Sequence, residues 1–290
     1  MLPAALIGGA VFYRWIGYLT FLSPYLIFTM LFITYCRLEL REFRPGRFET
    51  VLLAVQMSLA AIVYFALTPV SHTVAEGVFI CVFIPTATAA PVITAMLGGS
   101  ITRVATYSLV CNIFVALTGP VILAAVGDHA EYTFVESLLL IMSKVLPLLM
   151  LPIVCAIAVT RFAPRLHAVL VRSQAVSFYL WAVALFIIVG SCVSFAITHW
   201  DADATFDMSA LALGALVVCL VQFKIGRAVG RRFGDTVAGG QGLAQKNTVL
   251  AVWLALAYMN PIASIGPAAY IAWQNIVNSW QIVNHRRHNL

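Results

Sequence analysis

A lysine, three threonines and several carboxamides stand in stretches that are otherwise hydrocarbon. Pro85-Thr86-Ala87-Thr88-Ala89-Ala90-Pro91 interrupts an apolar run from about residue 74 to 97. Gly239-Gly240-Gln241-Gly242-Leu243-Ala244-Gln245-Lys246-Asn247-Thr248 interrupts a second, from about 235 to 258. Pro91 removes a backbone donor and displaces the carbonyl of Ala87, and Pro85 does the same to Cys81. The freed carbonyls and the hydroxyls of Thr86, Thr88 and Thr94 form an oxygen-rich patch suited to a hard cation or to polar groups of a substrate. Ordinary kinks are the plainer alternative, and Pro147, Pro152 and Pro261 read that way. In the second interruption three glycines weaken the helix where Gln241, Gln245, Lys246 and Asn247 cluster. An amine near the bilayer centre is functional or paired by default. Glu76, Asp128, Glu131, Glu136 and Asp235 all fall at span boundaries, so Lys246 is expected to meet carbonyls, water or an anionic ligand, with snorkelling to an interface as the alternative. Lys144 either reaches a cavity or caps another helix. Gln56, Ser108, Asn112 and the Gln274, Asn275, Asn278 face are candidates for an inward-facing lining, with interhelical hydrogen bonding as the competing role.

These groups need a membrane scaffold. The chain is 62% hydrophobic and 10% charged over 290 residues, whereas a soluble domain is roughly a quarter charged. At ~20 apolar residues per helix the length accommodates about ten spans in a single all-α domain: 2–19, 21–38, 50–69, 74–97, 101–126, 134–160, 175–198, 206–226, 236–258 and 262–284. The net charge of +6 does not suggest nucleic acid, because the basic residues are spread over several connectors. Arg37, Arg41, Arg44 and Arg47, then Arg161, Arg165 and Arg172, then Lys224, Arg227, Arg231 and Arg232, and finally Arg286 and Arg287 all fall on one side. The acidic connectors with Asp128 and Glu131, and with Asp201, Asp203 and Asp207, fall on the other. The positive-inside rule then puts both termini in the cytoplasm, of a bacterial-type inner membrane. Arg14 interrupts the first segment, which lacks signal-peptide features; it reads as a retained helix, and a nine-span form with this segment along the interface is the alternative. Cys36, Cys81, Cys111, Cys155, Cys192 and Cys219 lack metal-ligand spacing and read as core thiols.

Interruptions in the fourth and ninth spans divide the chain into two five-span halves, 1–126 and 134–290. An odd number of spans per half makes the second enter from the opposite side, as an inverted repeat requires, and one broken helix in each half is the pointer to a transporter site. Gly119-Pro120 and Gly266-Pro267 offer a short internal echo.

At the interruptions the chain resembles the bile acid:sodium symporter family. The residues that carry the resemblance are Pro85, Thr88-Ala89 and Val92-Ile93-Thr94, then Asn247-Thr248-Val249-Leu250-Ala251, Pro267 and Trp273-Gln274-Asn275-Ile276, with Arg14-Trp15 and Gly17 near the start. The resemblance implies ten helices in a panel and a core domain, with the fourth and ninth crossing at unwound centres, and a carboxylate- or sulfate-bearing substrate moved with sodium. This chain departs where the family's Ser-Asn in the first crossover becomes Ala90-Pro91. The family's sodium-binding glutamate aligns with the Gln241 to Gly242 region and its crossover glutamine with Lys246; Gln56 matches its sodium-binding glutamine. The residues expected to meet substrate are Thr86, Thr88, Thr94, Asn112, Lys246, Asn247 and Asn275. Those expected to meet a coupling ion are Gln56, Thr88, Ser108, Gln241, Gln245 and Thr248.

The expectation is a secondary active transporter of an organic anion, bile-acid-like or a small carboxylate, coupled to a cation such as Na+ and working by alternating access. Its partners would be that anion and the lipid bilayer, with no nucleic acid, no organic cofactor and no transition metal. One alternative is sodium-independent or proton-coupled transport, with the Lys246 ammonium replacing the ion. Another is a non-transporting binding or scaffold protein on the same fold. A sodium/proton antiporter would need a carboxylate inside a span. An enzyme would need a nucleophile with its base or a metal set, and His72, His129, His167, His199, His285 and His288 lie in loops or at the tail.

Overall fold

The computed structural model describes residues 2–36, 44–87, 89–127, 133–172, 174–198 and 202–288, and among these the elements are helical. In chain order they are α1 (Leu2–Val11), α2 (Tyr13–Ile16) running through a 3-10 turn (Gly17–Leu22) into α3 (Ser23–Tyr35), α4 (Arg47–Leu67), α5 (His72–Phe83), α6 (Ala90–Met96), α7 (Ile101–Val126), α8 (Phe134–Phe162), α9 (Pro164–Arg172), α10 (Gln174–Thr198), α11 (Ala202–Arg232), α12 (Thr236–Ala244), α13 (Thr248–Tyr258) and α14 (Ile265–His288), the last preceded by a 3-10 turn (Pro261–Ser264). Five segments are long and apolar enough to cross a bilayer: Tyr13–Tyr35, Arg47–Leu67, Ile101–Val126, Phe134–Phe162 and Thr205–Arg232. Such a set makes this a multi-pass membrane protein.

Helix starts follow from local chemistry. Ser71, Ser100 and Thr133 accept hydrogen bonds from the backbone N–H three residues on, opening α5, α7 and α8. The Glu136 carboxylate returns the favour to the Thr133 N–H at 2.8 Å, which closes a capping box. Asp235 ties two helix starts together: one carboxylate oxygen accepts the Ala238 N–H at 2.8 Å and the other accepts the Ser100 N–H at 2.8 Å.

The first boundary differs from the sequence expectation. The chain breaks at Phe12, not near Thr20, and runs helically from Tyr13 to Tyr35. α1 has 10 residues and rises about 15 Å, half the hydrocarbon thickness. It packs on α10 through glycines, where a Cβ on Gly9 would lie 2.5 Å from the Phe186 carbonyl oxygen. Arg14 and Trp15 are exposed beyond the break. The Gly-Pro echo also fails as a structural equivalence: Pro120 lies late in α7, whereas Pro267 belongs to the first turn of α14.

Packing comes in matched sets instead. α4 lies on α5 as α11 lies on α12, α6 on α7 as α13 on α14, and α5 meets α14 as α12 meets α7. α11 and α12 approach backbone to backbone, since a Cβ on Gly239 would stand 2.2 Å from the Gly226 carbonyl oxygen. Small residues permit such approach between helices in lipid. The basic end is knitted by Arg103, whose guanidinium donates to the Phe233 carbonyl at 2.6 Å, and by the Phe48 and Phe233 rings 5.7 Å apart. α9 joins the end of α3 through His167 Nε2, 2.7 Å from the Cys36 carbonyl.

Candidate functional site

The two interruptions meet. Pro85 has no N–H and Ile84 is extended, so α5 ends at Phe83; the helical path resumes at Ala90 with Pro91 in its first turn. The second interruption is shorter than the sequence suggested. Gly239, Gly240 and Gly242 lie within regular α12, and only Gln245, Lys246 and Asn247 leave the helix. The glycines are there for approach, Gly239 to α11 and Gly242 to Tyr107 and Leu52, and they do not unwind the chain. The two extended pieces pair antiparallel around Thr86 and Lys246: the Ala87 N–H donates to the Gln245 carbonyl at 2.8 Å and the Asn247 N–H to the Pro85 carbonyl at 2.9 Å. Backbone groups that unwinding leaves bare in a membrane are thus satisfied by the other interruption.

The side chains then exchange ends. The Thr86 hydroxyl donates to the Gly242 carbonyl at 2.7 Å, in the last turn of α12. In return the Lys246 ammonium donates to the carbonyls of Val82 at 2.8 Å and Ile84 at 3.1 Å, at the end of α5. A helix leaves its last four carbonyls without partners, and the end of α5 is accounted for in full by side chains. The Gln56 amide donates to Phe83 at 2.8 Å and Ile84 at 3.1 Å, and the Gln222 amide to Cys81 at 3.4 Å. The Gln56 carbonyl oxygen in turn accepts from the Tyr107 hydroxyl and the Cys111 thiol. Lys246 is 1% exposed and Gln56 0%, so water cannot serve in place of these bonds. Snorkelling is ruled out for Lys246 by the same burial.

Gln222 and Tyr270 form a counterpart of Gln56 and Tyr107. Each glutamine stands about three turns before the end of its long helix and each tyrosine in the second turn of the helix that follows the broken one. The Gln222 amide donates to the Tyr270 hydroxyl at 3.0 Å, and that hydroxyl donates to the Ala244 carbonyl at 2.8 Å, the end of α12. The Gln222 carbonyl oxygen is buried without a partner.

Of the residues expected at the site, Thr86, Lys246, Asn247, Gln56 and Ser108 come together. Ser108 donates to the Thr86 carbonyl at 3.4 Å, and Asn247 caps α13 by accepting the Leu250 N–H at 3.2 Å. Thr248 follows as the buried first residue of α13. Asn112 lies one turn from Ser108, donates to its carbonyl at 2.7 Å, and keeps a buried, unpartnered carbonyl oxygen. Thr88 lies outside the described residues. Thr94 and Asn275 turn back on their own helices, to the Ala90 and Ile271 carbonyls, because a side chain four residues on can reach its own ladder. The side chains of Gln241 and Gln245 are directed to α14. The Gln241 amide donates to Asn278 at 2.9 Å and Gln281 at 3.3 Å, and Asn278 donates to Gln245. Gln274 binds the Lys246 backbone, accepting its N–H at 2.9 Å. The Lys144 side chain is exposed. Tyr107, Gln222, Tyr270 and Gln281 were not singled out from sequence; a carboxamide such as Gln222 inside an apolar run was the available signal.

Among the described residues no group of three or more His, Cys, Asp or Glu side chains gathers as a metal site. No protein-family model matches the chain, and no curated protein matches it.

Proposed function

We propose that this protein is a secondary active transporter of an organic anion, with the crossover of α5/α6 and α12/α13 as the substrate and coupling centre. The matched packing of α4 on α5 and α11 on α12 supports two inverted repeats, nine full membrane passages with the half-length α1 in the place of a tenth, and a core that rocks against a panel containing α3, α8 and α10. The observation that carries the reading is the pairing of the two helices where each is interrupted, Ala87 to Gln245 and Pro85 to Asn247. Broken helices facing each other inside a bundle offer helix ends to a ligand, and that is where transporters of inverted-repeat design bind. The sequence resemblance to bile acid:sodium symporters supplies the substrate class, bile-acid-like or a small carboxylate. The positive charge of Lys246 at the crossover suits an anionic cargo. The basic end, with Arg44, Arg47, Arg103, Arg231 and Arg232, faces the cytoplasm in this reading.

Proteoliposomes tested with a labelled bile salt and a labelled short 2-oxo acid decide between transport and a scaffold role. Saturable accumulation above protein-free vesicles supports transport. Binding of the same anions, detected as thermal stabilisation of the purified protein, without any accumulation supports the scaffold reading.

A further inference from the structure

The carbonyl ends of α5 and α12 face the same crossover and are closed by different chemistry. A helix end carries roughly half a negative charge. At α12 the donors to Gly242 and Ala244 are the hydroxyls of Thr86 and Tyr270, both neutral. At α5 a full ammonium joins the Gln56 amide. Neutral donors therefore suffice to cap a half-helix in this fold, and hydrogen bonding alone does not call for a lysine. No carboxylate of a described residue stands within ion-pair distance of the ammonium. Its charge is balanced by the dipole of α5 and by the Val82 and Ile84 carbonyls. Oxygen donors at a half-helix end, closed off from water, are what a small monovalent cation would otherwise coordinate.

We propose that Lys246 is a tethered counter-cation: its ammonium occupies a monovalent-cation position at the carbonyl end of α5, so the protein needs no free sodium there, and removal of the amine opens that position to a free ion. This deepens the anion-transport reading and depends on it only for the consequence that uptake is sodium-independent. Cation binding itself is measured on the purified protein, so the two ideas can fail separately.

The test compares thermal unfolding of wild type, Lys246→Ala, Lys246→Gln and Lys246→Arg in detergent, in choline, sodium, lithium or methylammonium chloride at one ionic strength. Wild type and Lys246→Arg should shift by less than about 1 °C between salts. Lys246→Ala should be stabilised by sodium, lithium or methylammonium over choline by about 5 °C at saturation, the size expected for a ligand far above its dissociation constant. Lys246→Gln should gain a smaller shift, since its amide still reaches part of the space. Recovery of Lys246→Ala only when sodium or lithium is present during purification supports the proposal equally. Sodium stabilising wild type as strongly as a variant would overturn it, because a free-ion site would then coexist with the amine. So would indifference of both Lys246→Ala and Lys246→Gln to every cation. If Lys246→Ala does not fold in any salt, Lys246→Gln and wild type carry the decision.

Discussion

The half-helix ends that meet at the crossover differ in what holds them. The end of α5 is held by long side chains reaching in from other elements: Gln56 from α4, Gln222 from α11 and Lys246 from the opposite interruption. The end of α12 is held by two short hydroxyl bonds, and the helix leading to it is held in its first turn by backbone contact, Gly239 against Gly226 and Gly230. The α5 end is therefore tuned by long side chains that point changes can rewrite, whereas the helix behind the α12 end is fixed by a steric fit that tolerates almost none. A functional charge belongs on the first.

That contrast can be broken from the α12 side by Gly239→Val. The new side chain would start 2.2 Å from the Gly226 carbonyl oxygen with backbone on both sides, and folded protein should disappear from detergent extracts. On the α5 side, Gln56→Leu strips donors from the Phe83 carbonyl and an acceptor from Tyr107; it should cost about 3 kcal/mol, the sum of buried groups left unmade, read as a lowered midpoint in denaturant titration. Thr86→Val removes the hydroxyl bond to Gly242 at nearly constant volume and should cost about 1.5 kcal/mol. Asn247→Ala, which loses the cap of α13, should cost about 1 kcal/mol. Gln222→Leu is the smallest: it gives up a 3.4 Å bond to Cys81 and one to Tyr270 but removes a buried carbonyl oxygen with no partner, so the change should stay within about 1 kcal/mol. A Gln222→Leu loss as large as that of Gln56→Leu would show that the longer bond to Cys81 holds the α5 end as firmly as the Gln56 amide does.

Much of this was legible in the chain. Composition fixed the membrane class, and Pro85 with Pro91 marked the first interruption because proline acts through the backbone itself. For Lys246 the sequence leaves carbonyls, water or an anionic ligand open, since charge in an apolar run has few outlets, and the carbonyls of Val82 and Ile84 take it. The second interruption was drawn too wide because glycine has two uses, to loosen a helix or to let another helix touch it, and only tertiary contact tells them apart. Thr94, Asn275, Gln241 and Gln245 are site candidates on their polarity and, for the first three, on the family resemblance. Their direction depends on helix rotation, which spacing does not give, and on the option of bonding to the helix's own carbonyls. Gln222 and Tyr270 escaped because their role appears only when α11 and α14 are set beside the crossover. The short α1 escaped because Leu2 to Tyr13 is apolar enough to hide where the helix turns at Phe12.

The central claim, that the two interruptions lie against each other, is tested most directly by a disulfide. Thr86 and Lys246 pair with the flanking bonds Ala87 to Gln245 and Asn247 to Pro85, the narrow antiparallel arrangement with Cα atoms about 4.5 Å apart, within disulfide reach. Thr86→Cys and Lys246→Cys would be combined in a chain lacking the six native cysteines, with a protease site placed in the α8 to α10 connector. After mild oxidation in native membranes and cleavage, the two fragments should migrate as one species without reductant and separate with it. Fragments that separate without reductant, while a single-cysteine control still labels fully, would contradict the crossover.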